Sequence, residues 1–362
     1  MKELAYFYLT GEGEQLARKL CAARPGDLYG KDQFKENLTK AFGQYDNLVC
    51  IMATGIVVRT IAPLLVHKTV DPAVVVMDQH GSFAISLLSG HLGGANDLAR
   101  QMAEISGGEA VITTATDVAG RLSFDTFAKR HDMAIENIGQ LKFISSELLE
   151  DGVVNVFTNK SAGSYPEFHR EISAGRIRVY PLTYINDKEE DMNAFRAYVK
   201  RDKGTGRKTP AVVIDEGFRF KVAPDFPVLY LRPRTIYAGI GCTRGREAGP
   251  IEDALLTVLK DAGISKLALK AIATIPLKAD EPGIQETAKH LGVPVIIVPK
   301  EEIEALDIED LGIATSDFVK KNTGLLSVST ASSYIASGKG RILRDKVKFE
   351  KITIALSKSV DQ

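Results

Sequence analysis

Through its first 125 or so residues the chain switches repeatedly from a short apolar run to an amphipathic stretch, and this alternation leaves few folds open. The runs at 4–9, 48–52, 73–77, 83–88 and 110–113 have the length of single strands, about five to six residues. The clearest helix lies at 96–106, where Leu98, Ala99, Met102, Ala103 and Ile105 recur at helical spacing, with Asn96 as the expected cap and Gly107 and Gly108 as the stop. Such repeats predict βα units around a mostly parallel sheet. The pattern weakens from about 127 to 225, where 153–157, 176–180 and 211–215 read as strands, 188–200 as a charged helix and 201–210 as an exposed basic loop. From Thr235 it resumes, with strands at 236–240, 267–275 and 295–298 and helices at 248–262 and 283–291. Residues 315–338 read as two short helices broken at Gly324, and 352–356 as a closing strand. The expected fold is α/β: two three-layer α/β/α Rossmann-like lobes with a smaller α/β middle segment, divided as 1–126, 127–230 and 231–362.

A chain of 362 residues exceeds what one core supports, which fits that division. Lysine plus arginine equals aspartate plus glutamate at 46 each, so no long-range positive field exists to hold nucleic acid or an anionic membrane. Local basic clusters can still bind a small anion. Cys21, Cys50 and Cys242 form no CxxC pair, which argues against a disulfide framework or a thiolate metal site and fits a reducing cytoplasm. The opening MKELAYFYLT has too short an apolar run for a signal peptide, and no stretch of about 18 apolar residues exists to span a membrane. The expectation is a soluble, cytoplasmic protein; the sequence leaves the oligomeric state open, a homodimer included.

Four stretches hold residues suited to chemistry. ATGIVVRTIAPLLVHK at 53–68 follows a strand, so Thr54 and Gly55 would sit at a strand-to-helix turn, where free amides attract anions, and Arg59 and Lys68 could add carboxylate contacts; the bland reading is a helix with solvated charges. MDQHGSFAISLLSGHLGGANDLA at 77–99 offers Asp78, Ser89, His91, Gly93, Gly94 and Asn96 around one strand. A neutral imidazole at His91 could take a proton from water near pH 7, although a glycine-rich turn with a packed histidine is the alternative. The GxSxG pattern of a serine nucleophile is absent. ITTATD at 112–117 brings Thr114 and Asp117 to a sheet edge, where the carboxylate could orient an imidazole or cap a turn. YAGIGCTRGREAGPIEDAL at 237–255 mimics a dinucleotide loop, but its third glycine falls one position late. Gly241, Thr243 and Arg244, with Lys278 and Glu281 nearby, could instead bind a carboxylate. The six histidines are scattered and no HExxH occurs, so no protein-bound metal is expected; any metal should arrive with the substrate.

The strings GIVVRTIAPLL, DPAVVVMD, ISLLSGHLGGAN and ITTATD, in that order, strongly resemble the N-terminal domain of the CbiG family of cobalamin biosynthesis. YAGIGCTRGR, LKADEPGIQETAKHLGVPVIIV, SDFVKKNTG and ITIALSK are similar to that family's C-terminal domain, which is shared with CobE. The resemblance implies cobalt-precorrin-5A hydrolase activity, in which water opens a δ-lactone and a two-carbon fragment leaves as acetaldehyde. It implies a cobalt-corrinoid substrate that carries its own cobalt, no further cofactor, and neighbouring pathway enzymes as partners. On this reading His91 is the base, Ser89 and the amides around Gly93 and Gly94 hold the oxyanion, Asp78 or Asp117 orients the imidazole, and Arg59 and Lys68 meet carboxylates. The turn should then border an opening wide enough for a corrinoid. Gln79 and Thr330 stand where relatives often carry glutamate, so any acid role there lapses. A non-catalytic tetrapyrrole-binding or scaffolding protein is the rival reading. A nucleotide-dependent enzyme is opposed by the missing fingerprint.

Overall fold

The computed structural model describes residues 2–67, 70–182, 209–217, 219, 226–307, 309–315, 325 and 327–360. They divide into two compact units, one holding residues 1–130, 141–153 and 165–177, the other 131–140, 154–164 and 178–362.

The first unit is built on six strands: β1 (Lys2–Tyr8), β2 (Asp27–Tyr29), β3 (Tyr45–Ile51), β4 (Ala73–Met77), β5 (Phe83–Leu88) and β6 (Glu109–Val111). Its helices are α1 (Gly11–Ala23), α2 (Phe34–Phe42), α3 (Thr54–Ile61), α4 (Ala95–Ser106), α5 (Ala115–Val118), α6 (Phe124–Arg130), α7 (Leu141–Leu149) and α8 (Phe168–Ser173). The sheet order is β2-β1-β3-β4-β5-β6. Period-two alternation sorts the strand side chains to two faces. Tyr6, Val49, Ile51, Val75 and Met77 pack with Leu16 and Leu20 of α1 and Leu98 and Met102 of α4. Phe7, Leu48, Cys50, Val74 and Val76 pack on the opposite face with Leu38 of α2 and Val57 and Ile61 of α3. This is the expected three-layer arrangement.

One departure from a parallel sheet decides where the site lies. β5 runs antiparallel to β4, Met77 opposite Ala84 and Val74 opposite Leu88, while β6 is parallel to β5. The connection from β4 to β5 is a tight turn rather than a helical crossover, and a turn of that length permits only antiparallel pairing. The loops after β5 and β6 therefore emerge at the rim opposite the one reached by β1, β3 and β4. At α4 the expected stop holds, with Gly107 left-handed at φ 83°. The expected Asn96 cap does not: Gly94 occupies the cap position, and Asn96 lies inside the first turn with its side chain turned to other work.

In the second unit β7 (Met133–Ile135), β8 (Val154–Thr158), β9 (Ile177–Tyr180), β10 (Ala211–Ile214) and β11 (Val228–Pro233) form a sheet of order β7-β11-β10-β8-β9. A further sheet, β14-β13-β12-β16-β15, is formed by β12 (Ile236–Cys242), β13 (Leu269–Thr274), β14 (Val295–Ile297), β15 (Arg341–Phe349) and β16 (Ile352–Lys358). Its helices are α9 (Ala248–Asp261), α10 (Pro282–Leu291), α11 (Lys300–Glu304) and α12 (Ser329–Ala336). Ile236, Ala238, Ile240 and Leu356 meet Leu255 and Val258 of α9 and Ile284 of α10, while Ala273 and Ile275 meet Ile303 of α11 and Ala331 of α12. The strand β15 escaped the sequence reading because its charged run RILRDKVKF lacks a clean apolar period. The helix expected at 188–200, the loop at 201–208 and the break at Gly324 lie outside the described residues. Among the described residues no helix is long and apolar enough to cross a membrane.

α12 lies flush on β12: a Cβ added at Gly239 would stand 1.7 Å from the Ser329 carbonyl oxygen. Backbone cannot swing aside as a side-chain tip can. Gly239→Ala should therefore destabilise the protein by about 1–3 kcal/mol or more, as overpacking does, measured by denaturant unfolding.

Candidate active site

The turn after β5 doubles back on itself. Ser89 is left-handed at φ 56°, its carbonyl accepts the Ala95 amide, and the Gly90 carbonyl accepts the Asn96 amide. Gly93 fits because a Cβ there would meet that of Ser89 at 2.3 Å, and Gly94 takes φ 95°. The turn thereby carries His91 to the start of α4, beside the loop that follows β6.

His91 is held between two carboxylates. Its Nε2 lies 2.7 Å from Asp117 Oδ2, and its Nδ1 lies 3.3 Å from Asp125 Oδ2. The Thr116 hydroxyl is 3.1 Å from the same Nε2. Asp117 also accepts from Asn96 Nδ2 at 2.9 Å and from Arg100 Nη2 at 2.7 Å. Asn96, buried, accepts the Ser86 hydroxyl at 2.7 Å and donates to Thr114 Oγ1 at 3.1 Å. Asp125 is pinned by the Ser123 hydroxyl and the Thr126 amide. Its helix, α6, is anchored by an aromatic cluster in which Phe124 and Phe127 contact Phe168, and Phe127 also meets Tyr165.

Burial works against a charged imidazole here, but hydrogen bonds and charge from Asp125 and Asp117 outweigh it and raise the His91 pKa above its usual value. Burial likewise opposes ionisation of both carboxylates and is overcome, by Arg100 and His91 at Asp117 and by His91 and Ser123 at Asp125, so both titrate lower than usual. The ring thus lies between two acceptors in a setting that shifts it toward its protonated form.

Beside this cluster lies a cavity of about 280 Å³ lined by His91, Asn96, Asp117, Arg100, Arg121 and Arg130 among others. Small-molecule sites usually enclose about 300–1,000 Å³. This cavity's volume lies just below that range.

Several expected members fall elsewhere. The Ser89 hydroxyl donates to the Asp71 carbonyl at 3.0 Å and is spent inside the turn, so it is not an oxyanion donor in this arrangement. The Gly93 carbonyl accepts from Lys129 at 3.1 Å. Asp78 accepts the His80 and Phe83 amides at 2.9 and 2.7 Å. Burial raises its pKa, but the amides of Phe83, His80 and Ser82 outweigh that and lower it. Asp78 organises a turn at the other rim and does not orient His91: at about 3.3 Å per residue the length of β4 puts about 15 Å between the two. Thr54 and Gly55 begin α3 at that same far rim, and Arg59 folds back onto the Gly55 carbonyl at 3.1 Å. None of the three joins the His91 cavity, and Lys68 lies outside the described residues. Gln79 accepts the Thr10 hydroxyl at 3.2 Å, and Thr330 donates to Asp345 at 2.6 Å.

In the second unit the glycine loop after β12 already holds a carboxylate. Buried Glu281 accepts the Gly245 amide at 2.6 Å and the Lys278 ammonium at 3.3 Å, and Arg244 pairs with Asp280 at 3.0 Å. The Gly241 carbonyl accepts from Thr353 at 3.2 Å, and the Thr243 amide donates to Lys351 at 3.0 Å. Of the donors foreseen for a substrate carboxylate, Lys278 and Arg244 are paired with the chain's own acids and the Thr243 amide with a backbone carbonyl.

Asp125 and Arg100 are the members that the sequence reading missed. Asp125 sits between Phe124 and Phe127, and a carboxylate inside an apolar helical stripe must find a partner. Arg100 stands four residues after Asn96 on α4, hence on the same helical face.

Residues 36–117 match the family model for the cobalamin synthesis G N-terminal domain, and residues 236–357 that for the cobalamin synthesis G C-terminus. The chain is 30% identical to the cobalt-precorrin-5A hydrolase of Priestia megaterium over 98% of its own length and 94% of that protein's. It belongs to the cobalamin synthesis G family. Another family member, the cobalt-precorrin-5A hydrolase of Salmonella typhimurium, is 30% identical over 98% and 97% of the respective chains. The crystal structure of CobE, a protein from the cobalamin biosynthetic pathway, aligns over 35% of this chain and 92% of its own, with 32% identity and a TM-score of 0.33. In this cobalamin synthesis G protein the SGHLGGAN and ITTATD strings meet at one imidazole.

Because the folded-state pKa of His91 is raised, its ion pairs add stability that is fully present below about pH 6.5 and is lost as pH climbs through the raised value. Asp125→Asn should return that pKa toward its ordinary value and flatten the decline. NMR titration of the His91 ring and melting curves from pH 6 to 9 report the two effects. A His91 pKa unmoved by the substitution would remove Asp125 from the account.

Proposed function

We infer that this chain is a cobalt-precorrin-5A hydrolase, opening the δ-lactone of a cobalt-corrinoid and releasing acetaldehyde to give cobalt-precorrin-5B. The observation that carries the reading is an imidazole held between Asp117 and Asp125 at the wall of a cavity whose other lining includes Arg100, Arg121 and Arg130. It is supported by full-length similarity to two proteins named for that activity.

Hydrolysis requires a proton donor for the oxygen expelled when the lactone opens, and electrostatic help for the tetrahedral oxyanion. His91 suits both demands. Water adds to the lactone carbonyl and gives up one proton to solvent, the acyl–oxygen bond breaks to leave a carboxylic acid, and the departing alkoxide takes a proton from the ring. The neutral imidazole that remains is then the base that removes a proton from the new hydroxyl. The carbon–carbon bond cleaves as that oxygen becomes the carbonyl of acetaldehyde, and the bonding pair passes into the conjugated macrocycle. Asp117 and Asp125 favour return of the proton to His91. Arg100, Arg121 and Arg130 each pair with an acid of the chain, Asp117, Asp151 and Glu167, and would exchange that partner for a carboxylate on the substrate's periphery. Cobalt travels with the substrate, and this sequence of steps calls on no cofactor bound by the protein.

The test is acetaldehyde release from purified cobalt-precorrin-5A. His91→Ala should lower kcat by about 10²-fold or more, the usual worth of a positioned acid–base group. The wild-type rate should fall as pH rises through the raised His91 pKa, since the donor is then lost. A rate that instead climbs through that pH would make His91 the base from the outset. Binding of the corrinoid without acetaldehyde would leave the chain as a tetrapyrrole-binding protein.

A further inference from the structure

The geometry points to a second small-molecule site in the first unit, at the rim opposite His91, for an uncharged, largely apolar planar ligand bearing one carbonyl-type acceptor. This site is independent of the hydrolase reading.

The carboxyl ends of β1, β3 and β4 meet at that rim, the position where open α/β sheets receive ligands. They border a cavity of about 400 Å³, inside the usual range of about 300–1,000 Å³ for small-molecule sites. Leu9, Met52 and Ile56 line it, and Phe83, 49% exposed, offers an aromatic ring. A ring bound there would bury apolar surface that is now wet.

The polar groups select what that ring can carry. The Thr10 hydroxyl donates to Gln79 Oε1 and fixes the carboxamide, so the Gln79 Nε2 hydrogens remain to donate to a ligand. The Thr54 hydroxyl lines the same space, at the start of a helix with no side-chain cap. Charge excludes an anion. Among the described residues no lysine or arginine lines this cavity, whereas Asp78 does and is held ionised by the turn amides. The His91 cavity is lined by charges of both signs, Arg100, Arg121 and Arg130 with Asp97, Asp117 and Glu167. Two cavities of one unit thus differ in lining, one densely charged and one mostly apolar, and lie at opposite rims of the sheet, so neither serves as an extension of the other.

The probes are nicotinamide and nicotinate, which share a flat ring and differ in presenting a neutral carboxamide or a carboxylate. Titrated into the ¹⁵N-labelled full-length protein, nicotinamide at millimolar concentration should shift the Gln79 side-chain signals and the Thr54 amide. Nicotinate should bind there at least tenfold more weakly. Ala53 is exposed and lines the cavity, so Ala53→Trp should fill it and abolish the nicotinamide shifts. Gln79→Leu should weaken them about fivefold, and it stands in for the first variant should that one fail to fold. No shift with nicotinamide, equal or tighter binding of nicotinate, or shifts that survive in both folded variants would each overturn the proposal.

Discussion

An imidazole clamped between two carboxylates is the interaction around which the first unit is arranged. Asp117 comes from α5, Asp125 from α6 and His91 from the turn after β5. Three separate segments must therefore be in place before the charge on the ring is compensated. Each ion would be costly to bury alone, and together they tolerate burial because every one has an opposite neighbour and a hydrogen bond. Arg100 extends the chain of alternating charge to the surface. The aromatic packing beneath α6 and the glycine turn before α4 serve this arrangement, since they fix the two flanks from which the ring is held.

The same compensation sets the chemistry. A histidine in water is half-charged near pH 6.5 and ready to act in either direction. Here Asp125 and Asp117 shift that balance toward the protonated form, which suits the proposed role as first a donor and then a base. A reaction that first expels an alkoxide and then removes a proton from the resulting alcohol uses those two states in order. Lactone opening followed by fragmentation has that form.

Much of this could be read from the residues. The strand–helix alternation specified the layers, and the five N-terminal strand runs fell on observed strands because β-branched residues in short runs have few other uses. His91, Asp117, Asn96 and Thr114 were legible as a set, being polar groups packed at turn and strand ends. What stayed hidden was non-local. That β5 runs backwards depends on a short turn after Asp78, and only its geometry shows that Asp78 and Thr54 belong to a different rim from His91. Asp125 was obscured because it lies past the end of the recognised motifs, where its role depends on which helix the aromatic residues pull inward. The glycine loop after β12 looked vacant in one dimension; Glu281, 36 residues on from Gly245, fills it.

A sheet whose strands all point one way presents its functional loops along a single margin, leaving the other margin to connections. Reversing the last two strands changes that economy. The first unit has polar, cavity-forming loops at both margins, separated by the rigid length of the strands between them. Substitutions that reshape one margin need not disturb the other, because hydrogen-bonded strands transmit little deformation along their length. A reversed pair of edge strands thus gives a compact unit two separately shaped faces.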